Sequence, residues 1–276
     1  MHSTTTNFSS RLACLILLLL ATAPLQAFNG KAHEVVGHIA EAHICDQTGV
    51  ALAAIDGERD LPKAGLWADE IRSYRHTRFA NPWHYINVPD NVSVKEFYTD
   101  KRRRRSNDVL FAIEQFRWLL ANEKADRLDR AMAYRYFVHF VADIHQPLHV
   151  GRKNDQGGNR ITVKVGKGRT SLHAFWDGYD LRDAVNDPRD YAQYLVQLFA
   201  DREVETGGEP LDWAQESKGY RDAVYGYGQQ RSGKARLLDA AYREKAMDII
   251  NLRLYQAGMR LAGELDAVFC RGDVKR

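Results

Sequence analysis

Val138-His139-Phe140-Val141-Ala142-Asp143-Ile144-His145-Gln146-Pro147-Leu148-His149 sets three histidines and an aspartate inside an otherwise apolar run. His139 and Asp143 stand four apart, so on a helix both project from one face, about one turn from each other. That pitch suits the grip of a metal ion. An imidazole and a carboxylate turned into an apolar core are costly to bury unsatisfied, and a metal is the expected partner. The run also decides the fold class. Residues 125–149 read as one long apolar helix, with Pro147 expected to kink or break it near its end.

The chain on either side is helical by the same reading. Residues 31–45 carry Ala32, Val35, Val36, Ile39, Ala40 and Ala42 at helical spacing, with Gly49 beyond them as the expected stop. Pro62-Lys63 opens a second helix through Leu66, Trp67, Asp69 and Ile71. Residues 77–98, broken by Asn81-Pro82 and Pro89-Asp90-Asn91, read as a long loop. Ser106-Asn107-Asp108 caps an amphipathic helix containing Val109, Leu110, Ile113, Phe116, Leu119 and Leu120. Further on, Ile161, Val163 and Val165 alternate with polar residues ahead of Gly166-Lys167-Gly168, the one convincing β-hairpin signal. Residues 172–183, 190–200, 212–227 and 235–268 return to helix. With no internal repeat or low-complexity linker, a mainly α single domain with one small β-hairpin is expected.

Residues 1–27 stand apart. Arg11 precedes an apolar run at residues 12–23, and Pro24-Leu25-Gln26-Ala27 puts a small residue before a plausible cleavage point, the layout of a secretory signal peptide. The run is too short to span a bilayer comfortably. The mature chain, residues 28–276, is therefore expected to start at Phe28 and to be secreted or periplasmic, without a membrane anchor, as a monomer. Its loss removes Arg11 and no acid, taking the formal charge from +3 to +2, too slight to predict an anionic partner. Cys14 leaves with it. Cys45 and Cys270 remain, and an oxidising compartment favours one disulfide between the first and last helices over two buried thiols.

Other histidines and acids sit in apolar or aromatic company. His173 and Asp177 repeat the i, i+4 pair in Leu172-His173-Ala174-Phe175-Trp176-Asp177; Asp69 follows Trp67-Ala68; His84 lies in Pro82-Trp83-His84-Tyr85; His33 lies five residues after Phe28. With His139, Asp143 and His149 these make eight nitrogen or oxygen ligands, too many for one tetrahedral zinc and suited to two or three. Histidine with carboxylate and no cysteine points to catalytic rather than structural zinc.

These residues also fall in motifs. Phe28-Asn29-Gly30 with His33, WADEIR at residues 67–72, WHYIN at 83–87, HFVADIHQPLH at 139–149, GGNRITV at 157–163 and LHAFWD at 172–177 occur in one order along the chain. In this the sequence resembles the S1/P1 nuclease family, whose fold is the mainly α one shared with zinc phospholipase C. The resemblance implies three Zn2+ ions. The first would be held by Asp69, His84, His139 and Asp143, and the second by His149, His173 and Asp177. The third would take His33, Asp143 as a bridge, and the backbone nitrogen and oxygen of Phe28. The family usually has Trp where Phe28 stands, but backbone atoms do the ligating.

The resemblance further implies cleavage of P–O3′ bonds in single-stranded DNA and RNA to 5′-phosphorylated products, together with 3′-nucleotidase action. Zinc would bring a water towards neutral pKa, Asp69 would orient it, and Arg72 would neutralise charge building on the phosphate. Tyr85 would stack on a base, with Asn87 and Asn159 as further substrate contacts. Asn87 stands where fungal members carry an aspartate that bonds the base edge, and Gln156 where some members are apolar. His38, His43, His76 and His145 have no implied role. The run KRRRR at residues 101–105 is either a solvated loop or a phosphate track. Two rivals stand beside the nuclease, a zinc-dependent phospholipase C and a non-enzymatic zinc-binding protein. WADEIR, WHYIN and the GGN turn favour the nuclease over the first, and Arg72 beside the ligands argues against the second.

Overall fold

The computed structural model describes residues 28–100, 107–228 and 231–270. The signal-peptide reading and the KRRRR run lie outside the described residues. The chain from Phe28 forms α1 (Gly30–His43), α2 (Asp46–Asp56), α3 (Leu61–Ile71), a 3₁₀ segment (Arg75–His84), β1 (Ile86–Asn87), α4 (Val94–Thr99), α5 (Val109–Ala121) and α6 (Arg127–Asp143). A second 3₁₀ turn (Pro147–His149) leads into β2 (Val150–Gly151), β3 (Thr162–Val165), β4 (Gly168–Ser171), α7 (Leu172–Trp176) and α8 (Leu181–Ala184). The remainder is α9 (Pro188–Phe199), α10 (Pro210–Gly219), α11 (Arg221–Tyr225), β5 (Arg231–Ser232), β6 (Ala235–Leu238) and α12 (Ala240–Phe269). The fold is mainly α and a single domain, as expected.

The helix α6 is the axis. From Ala133 to Asp143 every residue but Arg135 is buried, because α3, α5, α2, α12 and α1 surround it. A helix covered on all sides has no polar face to show, which is why its sequence reads as apolar without a clean amphipathic stripe. Its partner α1 lies tightly on α3: a Cβ at Gly37 would stand 2.5 Å from the backbone of Pro62, so only glycine permits this approach. Behind the metal-facing residues, Tyr136 and Phe140 stack at 5.3 Å, Phe116 stacks on Tyr136 at 4.8 Å, and Trp83 meets both Phe116 and Tyr136 edge-on.

Several local expectations change. The helix of residues 125–149 stops at Asp143, since Pro147 cannot continue it and the Ser217 hydroxyl takes the Ile144 carbonyl at 2.6 Å. Gly49 is no stop but lies inside α2, buried where a Cβ would come within 2.8 Å of the Arg59 guanidinium. The expected loop at 77–98 holds the first 3₁₀ segment, β1 and α4, the last opened by a Ser93–Glu96 capping box. Gly178, at φ +103°, splits 172–183 into α7 and α8. The hairpin is present as β3–β4, but a second hairpin, β5–β6, joins it through parallel pairing of β6 with β3, Val163 against Arg236. Residues 235–238 are thus strand, and the final helix starts at Ala240.

Two devices fix the ends of the core. Cys45 and Cys270 are disulfide-bonded, tying the start of α2 to the end of α12. Deeper in, Arg253 is fully buried on α12 and donates to Glu216, Gln256, the Ser217 hydroxyl and the carbonyls of Trp213 and His145. Arg260, one turn pair further, clasps both oxygens of Glu216 and donates to Nε2 of His145 at 3.0 Å. His145 is therefore neither a ligand nor a surface residue. Its own Nδ1–H reaches the Val141 carbonyl, and through it α12 holds the turn just past Asp143. Burial first, then the two arginines, hold its imidazole well below the ordinary range.

Replacing both Cys45 and Cys270 by serine is expected to cost about 2–5 kcal/mol and to lower the melting temperature by roughly 5–15 °C. Thermal melts of oxidised wild type against the double variant check this; equal melting would remove the bridge from the stability of the fold.

Candidate metal centre

Asp143 closes α6 with its carboxylate fully buried. Around its Oδ2 lie Nδ1 of His84 at 3.0 Å and Nε2 of His139 at 3.1 Å. Around Oδ1 lie Nε2 of His33 at 3.6 Å and Nδ1 of His149 at 3.5 Å. Asp69 comes in from α3, with Oδ1 at 4.0 Å from His84 Nδ1 and 3.9 Å from His139 Nε2. A second group gathers beside it: Asp177 Oδ1 is 3.8 Å from His149 Nε2, and Oδ2 is 3.6 Å from His173 Nε2. Three sets of atoms lie close enough to share an ion: His33, Asp69 and His139; His84, His139 and Asp143; and His149, His173 and Asp177. All eight candidate side chains are thus brought to one place, from α1, α3, α6, α7 and both 3₁₀ turns.

The backbone around each ligand explains the aim. The Gly65 carbonyl accepts the Nδ1–H of His139 at 2.7 Å, and the Gly157 carbonyl accepts that of His173 at 2.7 Å. Each contact leaves a bare Nε2 lone pair turned inward. The Gly157 contact depends on an unusual turn. Gln156, Gly157 and Gly158 all have positive φ, and a Cβ at Gly157 would stand 2.6 Å from the Leu148 carbonyl. His84 and His149 are held in step because the strands that follow them pair, Ile86 with Val150 and Asn87 with Gly151. The buried Arg221 guanidinium pins that ribbon by donating to the carbonyls of Val88, Val150 and Gly151 and to Asp90.

The residues present fit metal ions. Both ring nitrogens of His33, both of His149 and Oδ1 of Asp143 are buried without a hydrogen-bond partner among the described residues, where nearly all buried polar atoms in proteins have one. Ligands about 2.1 Å from a tetrahedral zinc stand about 3.4 Å from each other, and the separations above run from 3.0 to 4.0 Å. Burial, reinforced by neighbouring imidazoles, keeps His33, His84 and His149 well below their ordinary pKa, and burial brings His173 to about 4. Neutral imidazole is the ligating form. Burial also pushes Asp177 well up and Asp143 to about 6. Burial opposes charge on His139 as well, but the adjacent Asp143 carboxylate outweighs it and lifts that imidazole to about 9. Protons here stand where cations would.

The sequence profile described as S1/P1 Nuclease matches residues 28–270. The chain belongs to the S1/P1 nuclease family. It is similar to Endonuclease 4 of Arabidopsis thaliana, with 29% identity over 267 residues that span 87% of this chain and 88% of that one. It is also similar to Nuclease P1 of Penicillium citrinum, at 24% identity over 86% of this chain and 96% of that one. Nuclease S1 of Aspergillus oryzae matches at 28% identity over 66% and 63% of the two chains.

Within this S1/P1 nuclease framework the remaining candidates take definite places. Phe28 is buried with its ring edge-on to His33, and the next residue's N–H donates to the Asp177 carbonyl at 2.7 Å. Arg72 ends α3 with Nη1 3.4 Å from Asp69 Oδ1 and Nε on Asn81. Asp69 and Arg72 keep about 14–15% of their side-chain surface exposed while Asp143 keeps none, so the cluster opens to solvent on their side. Tyr85 follows His84 and is 39% exposed. Asn87 is half-buried in β1, and Asn159 turns its amide onto the Gln156 carbonyl at 2.8 Å. Sequence reasoning passed over Gln146, which is fully buried and donates from Nε2 to Asp177 Oδ1 at 2.7 Å. A lone amide between His145 and Pro147 in an apolar run was its one visible signal.

Stripping metal with a chelator is expected to lower the melting temperature by more than about 10 °C, because metal-bound ligands would cross-link six elements of the fold. Differential scanning calorimetry before and after chelation measures this, and an unchanged melt would remove metal from the folded core.

Proposed function

We propose that this protein is a secreted, zinc-dependent phosphodiesterase. It cleaves P–O3′ bonds of single-stranded DNA and RNA to 5′-phosphorylated products and removes phosphate from 3′-nucleotides. One observation carries the reading: a buried carboxylate shared by four imidazoles, with its Oδ1 and the His33 and His149 nitrogens around that oxygen left without hydrogen-bond partners among the described residues, opens to solvent beside Asp69 and Arg72 in a chain of the S1/P1 nuclease family. Secretion is supported by the residue 1–27 pattern and by the disulfide.

Three zinc ions would be held by Asp69, His84, His139 and Asp143; by His149, His173 and Asp177; and by His33, Asp143 and the backbone of Phe28. Bound there, zinc supplies Lewis acidity that polarises a phosphoryl oxygen and brings a water's pKa near neutrality. The chain's own residues do the rest. Asp69, at the exposed rim, accepts a hydrogen bond from the attacking water and aims it at phosphorus, opposite the 3′ oxygen that departs. Arg72 meets the non-bridging oxygens with a charge that cannot be lost at working pH. Asp69 also holds Arg72 in place, at 3.4 Å. Tyr85 offers a ring face to the base, and Asn87, able both to donate and to accept, reads its edge without demanding one base.

A joint measurement tests the reading: zinc per chain by elemental analysis, and hydrolysis of 3′-AMP and of phosphatidylcholine by the same preparation. About three zincs with turnover of 3′-AMP support it. Turnover of the lipid alone would make the protein a phospholipase, and zinc without either activity would make it a zinc-binding protein. Asp143→Ala is expected to lose more than one zinc, whereas loss of one or none would end the bridging assignment. Extending the mature chain by one residue ahead of Phe28 is expected to impair the third site, and full activity and zinc content in that protein would exclude backbone ligation.

A further inference from the structure

The chain leaves the site at Arg72 and re-enters it at His84, and between the two it displays aromatic rings to solvent. Tyr74 is 57% exposed and Phe79 62%, where most aromatic side chains of the described residues are buried or half-buried. Single exposed rings are ordinary, as at Trp118, but two in one short segment beside the site are of the kind that marks an interaction surface. Nor are these rings on a slack loop. The Tyr74 N–H donates to the Ile71 carbonyl at 3.1 Å, the Thr77 N–H to the Tyr74 carbonyl at 3.2 Å, and the Thr77 hydroxyl to the Ile71 carbonyl. Tyr74 stacks on His76 at 5.7 Å and 12°. Phe79 stands edge-on to Trp83 at 5.3 Å and 82°, and Trp83 rests in turn on Phe116, Tyr136 and Phe140. Phe79 is thus propped from below by the core rings, and Tyr74 is paired with the exposed His76 ring.

Cations alternate with the rings. Arg75 and Arg78 are exposed, Arg72 precedes them, and no acidic residue occurs from Arg72 to Pro89. Rings spaced by cations match a chain of bases spaced by phosphates: each ring stacks without regard to base identity, and each cation releases counterions from the backbone. An apolar peptide would have no use for the cations, and a bilayer presents no flat faces for the rings to stack on. Along the chain the strip joins the metal centre at both ends, through Arg72 and through His84-Tyr85, so a strand seated on it would be held next to the reacting centre.

We infer that Tyr74 to Phe79 is a platform for nucleotides flanking the scissile bond, outside the Tyr85 base slot, and that it makes single-stranded polymers better substrates than mononucleotides. The inference rests on the proposed nuclease function. Its occupant is a single strand of nucleic acid, engaged by stacking on Tyr74 and Phe79 and by phosphate contacts with Arg75 and Arg78.

The test compares kcat/KM on a single-stranded 12-mer of thymidylate with kcat/KM on 3′-AMP for the full mature protein. Tyr74→Ala with Phe79→Ala is expected to raise the oligonucleotide KM about tenfold or more and to collapse the polymer-to-mononucleotide ratio, since one stacked base contributes at least about fivefold in binding. Tyr74→Phe with Phe79→Tyr keeps both rings and should restore the ratio. Arg75→Gln with Arg78→Gln is expected to flatten the slope of log binding against log salt by about 0.7 for each lost phosphate contact. An oligonucleotide KM unchanged within about twofold in the double alanine variant overturns the platform. So does a change in sedimentation that marks the rings as an interface between two copies. A wild-type protein that hydrolyses neither substrate instead defeats the nuclease reading, and the two failures are separate.

Discussion

A carboxylate with no exposed surface closes the central helix of this protein, and the rest of the structure answers to it. Burying an ionised Asp143 costs several kcal/mol unless cations or donors compensate. What surrounds it is four imidazoles, of which burial keeps three neutral. Neutral imidazoles offer lone pairs, not charge. A site so rich in acceptors and so poor in cations suits metal, and on that reading ligands converge from six elements of the fold rather than from one loop. In the proposed reading the folding of the domain and the assembly of its catalytic centre are one event.

Precision of that kind needs support further out. Metal ligands must be held to within fractions of an ångström, and here the holding is done by groups that touch no substrate. Gly65 and Gly157 fix the two imidazole tautomers by their carbonyls, Gln146 occupies one oxygen of Asp177, and Arg221 locks the ribbon carrying His84 and His149 into step. On the far side, Arg253, Arg260 and Glu216 grip His145 and the turn after Asp143. Removing one partner from such a buried ionic network typically costs about 3–5 kcal/mol, enough to loosen the helix end that carries the shared carboxylate. The network is large because α6 ends inside the protein, where its last carbonyls cannot reach water.

Much of this was legible in the sequence, and the misses have physical causes. The two i, i+4 His/Asp pairs could be read because helix geometry converts spacing directly into facing. The histidines at 33, 84 and 149 could be singled out by their apolar company, but their meeting point is a tertiary fact that no periodicity holds. Gly49 misled because a glycine required for close packing against Arg59 looks the same in sequence as one required for a left-handed cap. The strand at Ala235–Leu238 was invisible because its partner lies some seventy residues away, and its four residues carry no alternation of their own. The α4 helix, by contrast, carried a capping signal in Ser93 and Glu96, but Pro82 and Pro89 ahead of it made the whole stretch read as loop. His145 shows the limit most clearly: in the sequence it is indistinguishable from its ligating neighbours, and only the arginines of α12, more than a hundred residues on, assign it to the scaffold.

The distribution of exposure around the centre bears on what it can accept. Behind Asp143 stands a wall of stacked rings, with Tyr136, Phe140 and Phe116 closing the interior. In front, Asp69 and Arg72 are reachable, Tyr85 shows a ring, and the 3₁₀ segment continues outward with Tyr74 and Phe79. A deep pocket would select small esters by shape. An open rim flanked by rings and cations suits instead, in the proposed reading, substrates that extend beyond the reacting bond, carry repeated negative charge and present flat faces. In the proposed reading a duplex, whose bases stay stacked on each other, offers no face to Tyr85, so discrimination for single strands would need no dedicated gate. It would follow from placing a stacking ring at Tyr85, one residue from His84, where only a base already free of its neighbours could bring its phosphate into reach.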